Sequence, residues 1–172
     1  MNTRLLLLAP IVAALIASGC AKKETAPAGA AAGAAPAAKA TAAAPAPKAG
    51  PRVVEITAND QMKFSLATIE AKAGEELKIV LTNVGMMPKE AMGHNWVLLK
   101  AGSDGMAFST AAMAAKDTDY IPAALKGQII VHTALIGPRK SDEVTFTVPP
   151  AGEYPYLCSF PAHFVVGMKG TL

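Results

Sequence analysis

Two short segments of this 172-residue chain contain the side chains best suited to bind a metal ion. The first spans residues 92–98 and includes His94. The second begins at Cys158, continues through His163 and ends at Met168. Two imidazoles, a thiolate and a thioether together make the ligand set of a trigonal copper site with a weak axial sulfur. The residue types and spacing therefore predict a mononuclear copper centre.

Each of these residues also has an ordinary structural explanation. A lone cysteine commonly packs as a small buried hydrophobe, and methionine commonly fills gaps in a core. A lone histidine is usually a hydrogen-bonded surface or core residue. The Cys-x4-His-x4-Met spacing is by itself a moderate signal, and its combination with His94 favours the metal interpretation.

The elements that must position these segments are predicted to be short strands. Apolar and polar residues alternate at short intervals after residue 50, with Gly and Pro between the alternating stretches. The predicted strands are residues 52–58, 68–72, 76–82, 95–100, 128–132, 143–148, 154–158 and 167–172. Residues 106–125 are rich in Ala and Met without alternation, which predicts a helical insertion. Seven or eight strands in one domain predict an all-β, antiparallel Greek-key sandwich.

The first fifty residues have the character of a targeting signal and a spacer. Residues 1–20 contain one Arg, an apolar run and then small residues, which is typical of a secretory signal. The signal ends in Ala-Ser-Gly-Cys, which resembles a bacterial lipobox and predicts a lipid on Cys20; the alternative is a plain signal peptide. Residues 21–50 contain 16 Ala and four Pro, which predicts a disordered linker before a folded domain at 51–172.

Composition and charge exclude several classes of protein. From residue 51 onward there are 11 Lys and Arg against 12 Asp and Glu, so the domain has no basic excess for nucleic acid. Two cysteines are too few for a disulfide-stapled scaffold or a four-cysteine metal cluster.

Residues 92–98, MGHNWVL, resemble the azurins, a family of bacterial cupredoxins. Three further segments resemble the same family: NDQM at 59–62, HTALIG at 132–137 and MKGTL at 168–172. The resemblance runs in order, almost without gaps, from about Val53 to the C-terminus. It implies an eight-stranded Greek-key cupredoxin sandwich or barrel, with a short helical insertion and one type 1 blue copper ion near one end.

The resemblance also implies a role for each candidate residue. His94, Cys158 and His163 would bind copper in the equatorial plane. Met168 would be an axial ligand, and the backbone carbonyl of Gly93 would be a weak ligand on the opposite side.

Residues around the ligands receive roles from the same resemblance. Asn95 would tie the two ligand loops together. The backbone amides of Asn95 and Phe160 would donate hydrogen bonds to the sulfur of Cys158, which raises the reduction potential. His132 would bind no copper and would belong to a surface strand.

An exposed edge of His163 and an apolar surface around it are further implications. We name this surface the methionine patch, and it comprises Met62, Met86, Met87, Met92 and Met113, with Ala91, Pro161 and Ala162. Such a surface suits brief docking of several redox partners, such as cytochromes, reductases or oxidases. The alternative for individual methionines is packing in the core.

Three departures from the azurin pattern have consequences. The family disulfide is absent, because Cys20 and Cys158 are the only cysteines. Four residues separate His163 from Met168, which is the spacing of plastocyanins and auracyanins. Asn83 stands where azurins have a buried non-ligand histidine, so a pH switch based on that histidine should be missing.

The predicted function is one-electron transfer without catalysis, because protein atoms would fill every coordination position and leave none for a substrate. The protein would be a periplasmic or surface blue copper protein that is attached to a membrane through a lipid on Cys20. Two alternatives are a copper-delivery lipoprotein without a redox role and a surface-structural lipoprotein. A delivery protein would be expected to have an open Met- or His-rich site.

Overall fold

The computed structural model describes residues 50–172, so the predicted signal at 1–20 and almost all of the predicted linker at 21–50 lie outside the described residues. Eight strands in these residues form two four-stranded sheets, ordered β2-β1-β3-β6 and β5-β4-β7-β8. The strands are β1 (Arg52–Asn59), β2 (Lys63–Phe64), β3 (Glu76–Asn83), β4 (Val97–Leu99), β5 (Ile129–His132), β6 (Ser141–Thr147), β7 (Pro155–Leu157) and β8 (Lys169–Thr171). The predicted all-β sandwich is confirmed, and its two sheets do not close into a barrel.

The predicted helical insertion between strands is also present. The described part of the chain contains two α-helices, α1 (Lys89–Met92) and α2 (Gly105–Ala112), together with 3₁₀ turns at Lys116–Thr118 and Ala123–Gln128. Asp104 caps α2, because its carboxylate accepts from the backbone N–H groups of Met106 at 2.8 Å and Ala107 at 3.1 Å. No helix within residues 50–172 has the length and apolarity needed to cross a bilayer.

Strand β3 shows how alternation in the sequence builds the core. Its residues Leu77, Ile79 and Leu81 are fully buried, because successive side chains of a strand point to opposite faces. The strand pairs antiparallel with β6 but parallel with β1. The prediction of an antiparallel sandwich is therefore wrong for the pair β1 and β3. Residues 60–75 provide the long connection that a parallel pair requires.

One predicted strand is wrong and two short elements were not predicted. Residues 68–72 form no strand, although Thr68 makes an isolated bridge to Thr171. Strand β2 and helix α1 are only two and four residues long, which is too short for a periodic signal in the sequence.

The core lies between the sheets and extends to the candidate metal ligands. Trp96 is fully buried, with ring centroids 5.3 Å from Tyr156 and 6.2 Å from Phe146. The same cluster of buried residues includes Cys158 and Met168. The loops that contain the candidate ligands are therefore continuous with the packed interior.

Candidate metal centre

Hydrogen bonds of the backbone hold both candidate ligand segments. His94 lies between α1 and β4, where its N–H donates to Ile136 at 3.1 Å and its carbonyl accepts from Ile136 at 2.8 Å. Cys158 directly follows β7, and its N–H donates to the carbonyl of Met168 at 3.1 Å. The N–H of Met168 donates to His163 at 2.9 Å, so the second loop closes on itself.

Three candidate ligands from these two segments converge. The donor atoms of His94, Cys158 and His163 all lie within 4.8 Å of one another. The Sγ of Cys158 is 3.4 Å from Nδ1 of His163, and the two imidazole centroids are 4.9 Å apart. The three residues are at most 1% exposed, and Met168 is fully buried.

The unpaired nitrogens of His94 test whether this arrangement fits a metal. Within residues 50–172, both Nδ1 and Nε2 of His94 are buried without a hydrogen-bond partner. Buried polar side-chain atoms in folded proteins nearly always have a partner. A coordinated metal ion satisfies one such nitrogen, and imidazole, thiolate and thioether are the donors that copper prefers. The residues present therefore fit a copper ion.

Burial sets the protonation of the three groups. It lowers the pKa of His94 and of His163 to about 4, so both imidazoles are neutral at pH 7 and able to coordinate. Burial also raises the pKa of the Cys158 thiol to about 12, although the backbone N–H groups of Asn95 and Phe160 act in the opposite direction. The thiol would therefore release its proton to the solvent when a metal ion binds.

Asn95 connects the two ligand segments by hydrogen bonds, which is the role that the sequence predicted for it. Its Oδ1 accepts from the backbone N–H of Ser159 at 2.8 Å, and its Nδ2 donates to the Ser159 hydroxyl at 2.8 Å. Ser159 adjoins Cys158, and Asn95 adjoins His94, so this pair of bonds fixes the distance between two candidate ligands. All of these residues are fully buried.

Gly93 is buried directly before His94, and crowding explains why no side chain stands there. A Cβ atom at Gly93 would lie 2.7 Å from the carbonyl oxygen of Lys89 and about 3 Å from the side chain of Leu135. The backbone of helix α1 therefore approaches the candidate site closely.

The prediction of an exposed His163 edge is wrong. His163 is 1% exposed, because the Phe160 ring packs 4.7 Å from its imidazole and the following loop is tightly turned. Within that loop, Val166 donates to Ala162 at 3.2 Å and Gly167 donates to Phe164 at 3.0 Å. The imidazole of His163 is therefore covered by its neighbours.

Asp60 holds the backbone of two members of the predicted methionine patch. Its carboxylate accepts from the N–H groups of Met86 at 2.8 Å and Met87 at 3.4 Å, which are 64% and 41% exposed. Met62 and Met92 are half-buried. Met113 is 54% exposed but lies on another element, as the residue that ends helix α2.

Sequence reasoning missed several residues of this region. Val165 and Val166 are 66% and 49% exposed, and the signal for them was the apolar run at 164–166 that follows His163. Ser159 and Tyr120 contact Asn95 and Phe160, respectively, but the sequence offers no signal for either contact.

Two further polar residues stand apart from the candidate ligands. His132 is exposed at the end of β5, with Nδ1 2.9 Å from the Thr133 carbonyl oxygen. Asn83 is 1% exposed, and its Oδ1 accepts from the Gly85 N–H at 2.8 Å.

The fold and the buried Cys-His₂ cluster together define a cupredoxin, a β-sandwich with a mononuclear copper site at one end. The sequence profile of the family described as copper binding proteins, plastocyanin/azurin family, matches residues 52–172. The chain therefore belongs to this family, and its cofactor is copper.

Individual relatives agree with that assignment. Azurin from Pseudomonas denitrificans is 41% identical over 129 residues, which cover 69% of this chain and 94% of that protein. Azurin from Achromobacter denitrificans is 42% identical over 122 residues, which cover 68% of this chain and 80% of that protein.

Solved structures of auracyanins share the fold. Auracyanin A from Chloroflexus aurantiacus is 31% identical with a TM-score of 0.64, and the match covers 72% of this chain and 98% of that one. The dithionite-reduced auracyanin from Roseiflexus castenholzii is 30% identical with a TM-score of 0.62, and the match covers 69% of this chain and 93% of that one. The resemblance to azurins, with an auracyanin-like spacing in the second loop, is confirmed.

Proposed function

We propose that this protein carries single electrons between redox partners through a type 1 copper centre. In this proposal His94, Cys158 and His163 would hold the copper, the thioether of Met168 would be a further ligand, and the carbonyl of Gly93 would be a weak one. The observation that supports it best is the buried convergence of His94, Cys158 and His163, with both His94 nitrogens unpaired. Copper, when bound, supplies a one-electron redox couple.

The residues of this chain perform three tasks in the proposal. The packed core excludes water from the ligands, because His94, Cys158 and Met168 are fully buried. The Asn95–Ser159 hydrogen bonds hold the two loops at a fixed separation. The protein therefore has little to rearrange when the charge at the centre changes. Its closed ligand set suits an electron carrier and not an enzyme.

Voltammetry of the purified copper-loaded protein tests this function. We expect a reversible one-electron wave that persists over repeated cycles, because the ligands stay in place in both oxidation states. Loss of copper from the protein during reduction would instead indicate copper delivery. Absence of any wave from protein that retains its copper would contradict electron transfer.

The docking surface is tested by a charge in the methionine patch. Met92→Lys places an ammonium group near His94 without removing a ligand atom. We expect electron self-exchange between copies of the protein to slow by about tenfold or more, because each encounter must desolvate or repel that charge. NMR line broadening of mixed oxidised and reduced protein measures this rate.

Val53→Lys is the matched control for that experiment. Val53 is 53% exposed near the start of β1, whereas the turn that contains Met62 follows the other end of the strand. The control should exchange electrons at nearly the wild-type rate and keep the blue absorption. Equal rates for Met92→Lys and Val53→Lys would place the electron port on another face.

We also propose that Cys20 carries a lipid that anchors the protein to a membrane of the cell envelope, in the periplasm or at the surface. The support is the secretory character of residues 1–20 and the lipobox-like sequence that ends at Cys20. We expect the wild-type protein to partition into detergent, and Cys20→Ala to remain in the aqueous phase. Cys158→Ser removes the other cysteine and should still enter detergent. Equal partitioning of wild type and Cys20→Ala would contradict the anchor.

A further inference from the structure

Two consecutive residues near the metal centre have left-handed backbone conformations, which are uncommon for residues other than glycine. Asp119 has a φ of 52° and Tyr120 has a φ of 62°. Non-glycine residues occupy this region uncommonly, and a bulky aromatic residue in it is an outlier. Such conformations persist only where the surroundings determine them, and they concentrate at functional sites.

Asp119 contacts the side of the centre that contains His94. Its carbonyl oxygen lies 3.4 Å from Nδ2 of Asn95, the residue that follows His94. Its carboxylate pairs with Nζ of Lys89 at 3.2 Å, at the start of helix α1. The ion pair is largely exposed and contributes little by itself. The backbone contact with Asn95 therefore defines the position of Asp119 more than the charge does.

Tyr120 contacts the other side of the centre. It is 8% exposed, and its ring meets Phe160 edge-on, with centroids 4.9 Å apart and planes at 64°. Phe160 in turn packs against the His163 imidazole at 4.7 Å, and its backbone N–H acts on the Cys158 sulfur. Tyr120 thus contacts a residue whose ring packs against one proposed ligand, His163, and whose backbone N–H acts on a second, Cys158.

We propose that Tyr120 is a positioning residue for the metal centre. Its ring fixes Phe160, and Phe160 fixes both the plane of the His163 imidazole and the direction of the N–H group toward the Cys158 sulfur. The left-handed pair at Asp119 and Tyr120 is the conformation that brings the ring to Phe160. The redox consequence rests on the proposed electron-transfer function, whereas the structural consequence does not.

The first test uses metal-free protein, so that it does not depend on copper. Nuclear Overhauser contacts between the Phe160 and His163 rings should be present in the wild type and in Tyr120→Phe, which keeps the ring. They should be lost in Tyr120→Leu. Phe64→Leu is the control for the loss of a half-buried aromatic ring elsewhere, because Phe64 packs on Tyr156 at 5.8 Å in the core. Loss of the contacts in the control as well, or their retention in Tyr120→Leu, would overturn the proposal.

The second test measures the reduction potential of the copper-loaded protein. An N–H group that donates to the thiolate draws charge from the sulfur and thereby favours the reduced state. When this N–H group points less directly at the sulfur, the oxidised state is favoured instead. We expect the Cu(I)/Cu(II) ratio at a fixed ambient potential to fall about threefold in Tyr120→Leu, which corresponds to about 28 mV for a one-electron couple. Tyr120→Phe should restore the wild-type ratio. An unchanged ratio in Tyr120→Leu, or an equal fall in Phe64→Leu, would contradict the positioning role.

A third pair of variants tests the backbone conformation. Asp119→Asn loses the charge but tolerates the left-handed region, whereas Asp119→Val is β-branched and disfavours it. We expect Asp119→Asn to retain the ring contacts and Asp119→Val to lose them, as Tyr120→Leu does. The opposite order would show that the carboxylate matters and the left-handed conformation does not. A wild-type copper-loaded protein without a voltammetric wave would contradict the proposed electron transfer. The contacts between the Phe160 and His163 rings would still decide whether Tyr120 is a positioning residue.

Discussion

Replacement of Cys158 by Ser is expected to leave the copper-loaded protein colourless. The intense blue absorption of a type 1 centre requires a thiolate bound to Cu(II), and a serine hydroxyl cannot supply that bond. Ser is close to Cys in size, so the fully buried position should stay filled. A visible absorption spectrum at a known copper content measures the result.

His132→Gln is the control for the colour experiment. His132 is exposed at the end of β5 and lies outside the cluster of candidate ligands, so its replacement should leave the blue band at full strength. Far-ultraviolet circular dichroism of both variants verifies the fold. A Cys158→Ser variant that stayed blue would remove Cys158 from the ligand set.

Replacement of Asn95 by Ala should lower the free energy of unfolding of the metal-free protein by about 2–4 kcal/mol. The variant deletes the Oδ1 acceptor of the Ser159 N–H at 2.8 Å and the Nδ2 donor to the Ser159 hydroxyl at 2.8 Å. Both partners are fully buried, so the freed groups have no access to water. Urea unfolding at neutral pH measures the change.

Ser159→Ala separates the two bonds of Asn95. This variant removes the hydroxyl but keeps the backbone N–H that donates to Asn95, and we expect a loss of only about 1 kcal/mol. If Asn95→Ala destabilised the protein no more than Ser159→Ala, the bond between the Ser159 N–H and Asn95 would not be what connects the loops.

The donor set of the metal centre was predictable because its chemistry is visible in residue types. Few kinds of site other than a copper centre combine two histidines, a cysteine and a methionine, as His94, His163, Cys158 and Met168 would. Strand β3 was predictable for a different reason, since its period-two alternation follows directly from the burial of one face.

Other features depend on contacts between residues far apart in the chain, which no local pattern encodes. The parallel pairing of β1 with β3 depends on where the connecting segment runs. The burial of His163 results from the Phe160 ring beside it and from turns inside its own loop. The left-handed pair Asp119 and Tyr120 is fixed by contacts with Asn95 and Phe160, 24 and 40 positions away in the sequence.

The burial of Cys158 also protects the protein before it acquires its metal. A thiol reacts with oxidants and with disulfides as its thiolate, and a pKa of about 12 leaves only roughly one molecule in 10⁵ ionised at pH 7. The sulfur is also fully enclosed, so a glutathione disulfide or another chain cannot reach it. We therefore expect newly folded apoprotein to resist the formation of mixed disulfides or covalent dimers through Cys158. The same shielding that keeps water from the centre preserves the one side chain on which the colour depends.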